Sequence, residues 1–267
     1  MFRYVDLATD MRAGRKLKDA LINYRNACQQ ANVLTSLDDA VARLVDVATA
    51  RAEAARAEAS ARAGELGDLD AEAPPEDVLL SFISGDKAAD RTDREVVTPW
   101  FKFLWEAHRN CLDVLRNNSR LEALYAAAAK RAFAFCTLYA RPTEFRRLCD
   151  ILRNHLGTLI KYKDQGGRDR TDLSLVPTWE QYVDVRFEQL RAACALSLWA
   201  EAFRSVEDIQ GLVALAPKGV KGPKPALMAV YYARLTQIFG QSEARLYSAY
   251  AWYRLYAFSR SLNKHKR

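Results

Sequence analysis

The chain has 267 residues, 50% of them hydrophobic, and carries 40 Lys and Arg against 33 Asp and Glu, a net charge of +7. That length can bury a sizeable core as one large domain or two small ones. Five cysteines, Cys28, Cys111, Cys136, Cys149 and Cys194, stand singly with no C-x-x-C pair, which argues against a disulfide framework or zinc site and for reduced cytoplasmic thiols.

Glycine (11) and proline (8) are sparse and cluster at a few breaks, while alanine-rich text of helical period fills the rest, predicting an all-α protein. The start, MFRYVDLATDMR, is too polar for a signal peptide, and nowhere do about eighteen apolar residues run together, so the expectation is neither secretion nor membrane insertion.

Phe2 to about Arg12 reads as a first helix. The turn at Ala13-Gly14 leads into a second, Lys16 to Ala31, with Leu17, Leu21, Tyr24, Ala27 and Cys28 on one face. Arg12, Arg15, Lys16 and Lys18 crowd this hairpin tip. Such a tip is either a solvated loop or a surface whose cations reach a phosphate backbone.

Ser36 can cap a third helix running to about Leu66, with Asp38 and Asp39 placed against its amino-terminal dipole. Leu37, Val41, Leu44, Val45 and Ala48 stripe its first half. The second half, ATARAEAARAEASARAG, has nothing large to bury and is expected to project beyond the core, as a solvated spacer or an arm along a partner. An acidic linker, GDLDAEAPPED, and a short helix from Glu76 to about Ile83 follow.

The stretch from Ser81 to Tyr125 organises the chain. Thr98 can cap a helix whose first turn tolerates Pro99, and Val97, Trp100, Leu104, His108, Cys111 and Leu115 recur at helical spacing. Phe101, Trp105 and Leu112 widen that stripe, so neighbours should cover this helix on two sides, with Trp100, Phe101, Leu104 and Trp105 as structural anchors. Asn117-Asn118 ends it, and Ser119 with Glu122 reads as a capping box for a helix from Arg120 to about Tyr139. Asp90, Arg91, Asp93 and Arg94, alternating in sign just before, satisfy one another rather than forming a catalytic pair.

Pro142 starts another amphipathic helix, with Phe145, Leu148, Cys149, Leu152 and Leu156 on one face. His108, His155 and His265 lack ligand-spaced partners and read as structural. A break from Asp164 to Val176 is flanked by Lys161, Lys163, Arg168 and Arg170. Its Gly-Gly follows a helix and no G-K-[ST] completes it, so it is not a phosphate-binding loop.

Helices are then expected at about Thr178 to Leu196, Leu198 to Leu215, Ala226 to Phe239 and Ser242 to Lys264. Residues 216–267 hold ten Lys and Arg, including Lys218, Lys221 and Lys224, against the single acid Glu243. They sum to +9, and the preceding 215 residues to −2, which points to a located contact surface. Tyr231, Tyr232, Phe239, Tyr247, Tyr250, Trp252, Tyr253, Tyr256 and Phe258 fall at helical spacings that predict core packing; stacking on unpaired RNA bases is the alternative. The architecture implied is an α-solenoid of about ten helices in antiparallel pairs, similar to TPR or HEAT arrays, in two regions, 1–73 and 74–267. No catalytic, cofactor-binding or metal-ligating constellation is readable, which favours a binding scaffold over an enzyme.

SGDKAADRTDR, TPWFKFLWE and CLDVLRNNSRLEALY resemble the family of the largest, a, subunit of eukaryotic translation initiation factor 3. NYRNACQQANV, FRRLCDILRNHL, LWAEAFRSVEDIQGL, PKPALMAVYY and RLYAFSR extend the likeness in order over nearly the whole chain. The resemblance implies a helical-repeat region amino-terminal to a PCI winged-helix region absent here, so that the chain is a portion of a longer protein. It also implies a cytoplasmic scaffold that pairs with other subunits of the factor, notably the c subunit, and docks on the small (40S) ribosomal subunit to form preinitiation complexes with messenger RNA. The basic tips named above are then the candidate contacts to ribosomal protein and RNA. The alternative is a PCI-type subunit of the proteasome lid or signalosome.

Overall fold

The computed structural model describes residues 1–66, 96–162, 170–220, 222–242 and 244–264. The expected helix at Glu76 to Ile83, the charged run Asp90 to Arg94, the Gly-Gly break, His265, Lys163, Arg168 and Lys221 lie outside them. The described residues form ten α-helices and one 3₁₀ turn and no strand. None of these helices is long and apolar enough to cross a membrane. The chain is all-α, and its helices stack as the repeats of a TPR-like solenoid do, in two compact units, Met1–Val114 and Leu115–Arg267.

The first unit holds α1 (Phe2–Asp10), α2 (Gly14–Gln30), α3 (Thr35–Leu66) and nearly all of α4 (Thr98–Leu115). Val5, Leu17, Leu21, Leu37, Leu44, Leu104 and Leu112 are fully buried in its core, and Phe101, Phe103 and Trp105 lie nearly so. Two ion pairs tie α3 to α1, Arg43 to Asp6 and Arg51 to Asp10, both at 2.6 Å. The Arg25 guanidinium donates to the Val114 carbonyl at 2.7 Å, placing a cation at the electronegative end of α4 and satisfying one of its terminal acceptors. The Ala/Arg/Glu tract does not simply project into solvent: Ala48, Ala52, Ala55 and Ala59 form a buried ridge along α3. A face of alanines carries no large side chain, so a search for large apolar residues overlooks its burial.

The second unit holds the 3₁₀ turn Ser119–Leu121, α5 (Glu122–Leu138), α6 (Pro142–Lys161), α7 (Val176–Ala195), α8 (Trp199–Ala214), α9 (Pro225–Gly240) and α10 (Arg245–Lys264). α7 lies against both α5 and α8, α9 covers α7 and α8, and α10 packs chiefly on α9. Trp179, Phe133, Phe145 and Phe187 fill the centre, with Phe133 and Phe145 rings 5.7 Å apart. The start of α5 differs from the expected capping box. Asn118, not Ser119, caps the preceding 3₁₀ turn by accepting from the Arg120 amide at 3.0 Å, α5 itself starts after Leu121 with no side-chain cap, and the Glu122 carboxylate accepts instead from the Thr178 hydroxyl at 2.7 Å.

One device ends helices in both units. Arg12, Asn32, Asn117, Ala140 and Ser197 all take positive φ just past a helix. After four of these helices the next amide bonds back to a carbonyl five residues upstream: Ala13 to Ala8, Val33 to Cys28, Arg141 to Cys136 and Leu198 to Ala193, at 2.8–3.0 Å. That is the Schellman turn, and it reverses the chain within three or four residues. Ala140, at φ 49°, bears the Cβ penalty that glycine escapes. Ala140→Gly is therefore expected to raise unfolding stability by about 0.5–1 kcal/mol, measured by urea denaturation; a loss would show that the turn is not limited by this strain.

The aromatic carboxyl end departs from the expectation of core packing. Tyr231 is buried, and Tyr232, Phe239 and Phe258 are half-buried, but Tyr247, Tyr250, Trp252, Tyr253 and Tyr256 on α10 are 55–64% exposed. Helical spacing assigns residues to faces. It does not say how many of those faces find a neighbour.

Candidate functional site

The hairpin tip between α1 and α2 is built by the Arg12 turn. Arg12 is exposed, yet its guanidinium sits 5.4 Å from the centroid of the Trp100 ring, which in turn meets Phe103 edge-on at 6.3 Å. Of the four expected anchors, Phe101, Leu104 and Trp105 are buried, whereas Trp100 stays half-exposed and serves as a platform for Arg12. Lys18 is only half-exposed and pairs with Asp113 on α4 at 2.7 Å. Arg15 and Lys16 are exposed. The four cations thus divide into two engaged with α4, Arg12 through the Trp100 ring and Lys18 through Asp113, and two, Arg15 and Lys16, that are exposed on α2.

A second basic group gathers after α6 in the other unit. Lys161 Nζ lies 5.5 Å, and the Arg170 guanidinium 5.9 Å, from the centroid of the Tyr162 ring, so two cations share one aromatic ring. A third lies between α8 and α9, where Lys218 is exposed and Lys224 pairs with Glu180 of α7 at 3.0 Å.

The most concentrated electrostatic feature is one that residue spacing did not single out. Arg153 on α6 bonds Asp150 at 3.0 Å on its own helix and, on α8, Glu201 and, at 2.9 Å, Asp208. Arg186 on α7 is buried, donates to Gln189 at 2.6 Å and lies 3.7 Å from Asp208; Gln189 donates in turn to Ser205 at 2.9 Å and to Asp208 at 3.1 Å. Burial alone would depress the pKa of Arg153, but its bonds to Glu201 and Asp208 outweigh that and hold it above the ordinary value. For Arg186 burial wins and lowers the pKa, with Asp208 opposing. The signal available in the sequence was charged residues embedded in otherwise apolar runs, such as Arg186 between Val185 and Phe187.

Other buried polar groups are structural in kind. The Tyr125 hydroxyl and His155 Nδ1 lie 3.0 Å apart, and burial raises the pKa of Glu122 and of Tyr182, the latter helped by the Glu122 charge. Burial also pushes the Cys136 thiol up to about 12 and Cys149 higher still, so neither is a thiolate nucleophile at neutral pH. No group of three His, Cys, Asp or Glu that could hold a metal ion occurs among the described residues. What the arrangement offers chemically is exposed cations and helix faces, which suit binding.

Comparison with known proteins is consistent over the whole length. The family model described as "eIF3a, PCI domain, TPR-like region" matches residues 1–267. The A subunit of eukaryotic translation initiation factor 3 from tobacco (Nicotiana tabacum) is 55% identical over 99% of this chain and 27% of its own length. The protein of that name from Arabidopsis thaliana is 53% identical, with 99% and 26% covered. The human one is 43% identical, with 99% and 19% covered. The chain therefore spans about a quarter or less of the length of these relatives.

Proposed function

Because the chain belongs to the family of the PCI-domain, TPR-like region of the largest subunit of eukaryotic translation initiation factor 3, we propose that it is a non-enzymatic scaffold segment of that cytoplasmic factor. In this reading its helix faces bind other subunits of the factor, notably the c subunit, and its basic tips dock the assembly on protein and RNA of the small ribosomal subunit. The docked factor then supports preinitiation complexes and messenger RNA recruitment. The observation that carries the reading is the family match across the entire chain, and the arrangement of exposed cations on turns between stacked helices is consistent with it. The relatives' shared name also sets aside the lid and signalosome alternative.

The test is co-sedimentation with purified small ribosomal subunits over a salt series, with and without the c subunit. Salt-sensitive binding strengthened by that partner is expected. Reversing only Arg15 and Lys16 to Glu should lower affinity about tenfold or more and reduce the salt slope by roughly 1.5, the contribution of two phosphate contacts. Unchanged affinity and slope would remove this tip from the docking surface. Lys18→Glu is a poor probe of contact, since it sets a carboxylate against Asp113 and disturbs the unit itself.

A further inference from the structure

Hydrogen bonds and ring contacts fix which helix ends meet in the unit Leu115–Arg267. The Thr178 hydroxyl at the start of α7 donates to Glu122 at the start of α5, the Trp179 indole donates to Leu212 near the end of α8, and Lys224, just before α9, pairs with Glu180. Tyr125 of α5 meets His155 of α6 at 3.0 Å, and Arg170 lies over Tyr162, which closes α6. The starts of α5, α7 and α9 and the ends of α6 and α8 therefore share one edge of the unit. Three connections run along it: the turn before α5, the segment between α6 and α7, and that between α8 and α9.

Among the described residues, these connections and the last residue of α6 carry six cations, Arg116, Arg120, Lys161, Arg170, Lys218 and Lys224, against one acid, Asp172. Arg170 is half-exposed and the other five cations are exposed. The described connections at the opposite edge, after α5, α7 and α9, carry one charged residue, Arg141. A stack of helix pairs that continues along its own chain covers the faces of its helices, but its connections stay at the rim.

We infer that this edge is a track for the phosphate backbone of an unpaired RNA strand, with Tyr162 as a stacking platform for a base. Neighbouring helices lie about 8–10 Å apart, so cations recur along the edge at an interval that suits a linear polyanion rather than a single anion. Tyr162 is 38% exposed, and Lys161 and Arg170 beside its ring are placed to bind the phosphates that flank a stacked base. Base-paired RNA offers such a ring no free face. A helical protein partner would need an apolar stripe. The exposed Leu175 and Val176 instead stand at the start of α7, and Leu215 stands after α8.

This inference deepens the docking reading, on which it rests for the presence of RNA, and its test uses no ribosome, so either can fail alone. A labelled oligouridylate of about sixteen nucleotides is titrated with the chain by fluorescence anisotropy over a salt series. A duplex RNA of equal length and a poly-glutamate peptide are titrated alongside. Expected is salt-sensitive binding of the oligouridylate, tighter than that of the duplex or the peptide. Arg116→Glu with Lys161→Glu and Lys218→Glu, one reversal on each connection, should weaken it about tenfold or more and lower the salt slope by about 2, since each phosphate contact on a single strand contributes about 0.7. Arg146→Glu with Arg147→Glu and Arg245→Glu makes the same change in net charge at the starts of α6 and α10, toward the opposite edge, and should leave affinity within about threefold because salt screens distant charges. Tyr162→Ser should weaken binding about fivefold or more, the effect of losing one stacked base. Equal weakening by the two charge-reversal sets would overturn the track in favour of net charge alone. Equal or tighter binding of the duplex would overturn the assignment to an unpaired strand, and tighter binding of poly-glutamate would give the edge to an acidic protein segment. Absence of RNA binding at low salt would overturn the proposal outright.

Discussion

Replacing Arg153 with Met should destabilise the unit Leu115–Arg267 by about 3–5 kcal/mol, the usual cost of leaving buried charge uncompensated. Arg153 is the group through which α6 meets Glu201 and Asp208 of α8. Without it, Glu201, which is only 5% exposed, is left with Arg204 at 3.6 Å, and Asp208 with Arg186 and Gln189. Thermal unfolding followed by circular dichroism should show a fall in Tm of roughly 6–20 °C, at about 2–4 °C per kcal/mol for a domain of this size. Arg153→Lys keeps the charge but not the planar fork that spans two carboxylates, so an intermediate loss is expected. Arg153→Met combined with Glu201→Leu should recover most of the deficit, because an apolar pair replaces the stranded Glu201 carboxylate while Asp208 keeps its contact with buried Arg186. A single-mutant loss below about 1 kcal/mol would mean that water reaches the network and screens it.

Trp179→Ala should cost a comparable amount, about 3–5 kcal/mol, for a different reason. Trp179 is among the largest fully buried side chains, and its indole N–H donates at 2.8 Å to the carbonyl of Leu212 near the end of α8. Truncation opens a cavity between α7 and α8 and removes one of two donors to the Leu212 carbonyl, which keeps the Leu215 amide at 3.1 Å. Trp179→Phe separates these contributions. It keeps most of the volume but loses the hydrogen bond, and should cost about 1–2 kcal/mol in urea unfolding. If the Phe variant is as unstable as the Ala variant, the hydrogen bond rather than the packing secures the junction.

Both variants address how the unit keeps the register of its stacked helices, which the scaffold reading requires. A helix array binds along its length only if each helix presents its face at a fixed angle. In this chain Arg153 fixes α6 against α8, and Trp179 fixes α7 against α8.

The residues themselves settled much of this. Pro99 and Pro142, helical spacing of Leu104, Cys111 and Leu115, and the paired asparagines after α4 located helices to within a few residues, because backbone hydrogen bonding and side-chain periodicity are local properties. The solenoid class followed from the same local signals, and the family from long stretches such as TPWFKFLWE. The cap at Asn118 was displaced by one residue, since Ser119 and Asn118 are both good caps and only the geometry of the 3₁₀ turn chooses between them.

What the sequence could not reveal is how many sides of a helix are covered and which charges meet. Ala52, Ala55 and Ala59 look inert in a linear reading, yet they are buried, while Tyr250 and Tyr253 look like core and stand in solvent. Arg153 and Asp208 are more than fifty residues apart, and Lys18 is 95 residues from Asp113, so no local pattern links them. The same limit sorted the basic tip into Arg15 and Lys16, which are exposed on α2, Arg12, which lies over the Trp100 ring, and Lys18, which ties α2 to α4 through Asp113. Local chemistry determined the helices and their family; burial and charge pairing, being long-range consequences of packing, were decided by the tertiary structure alone.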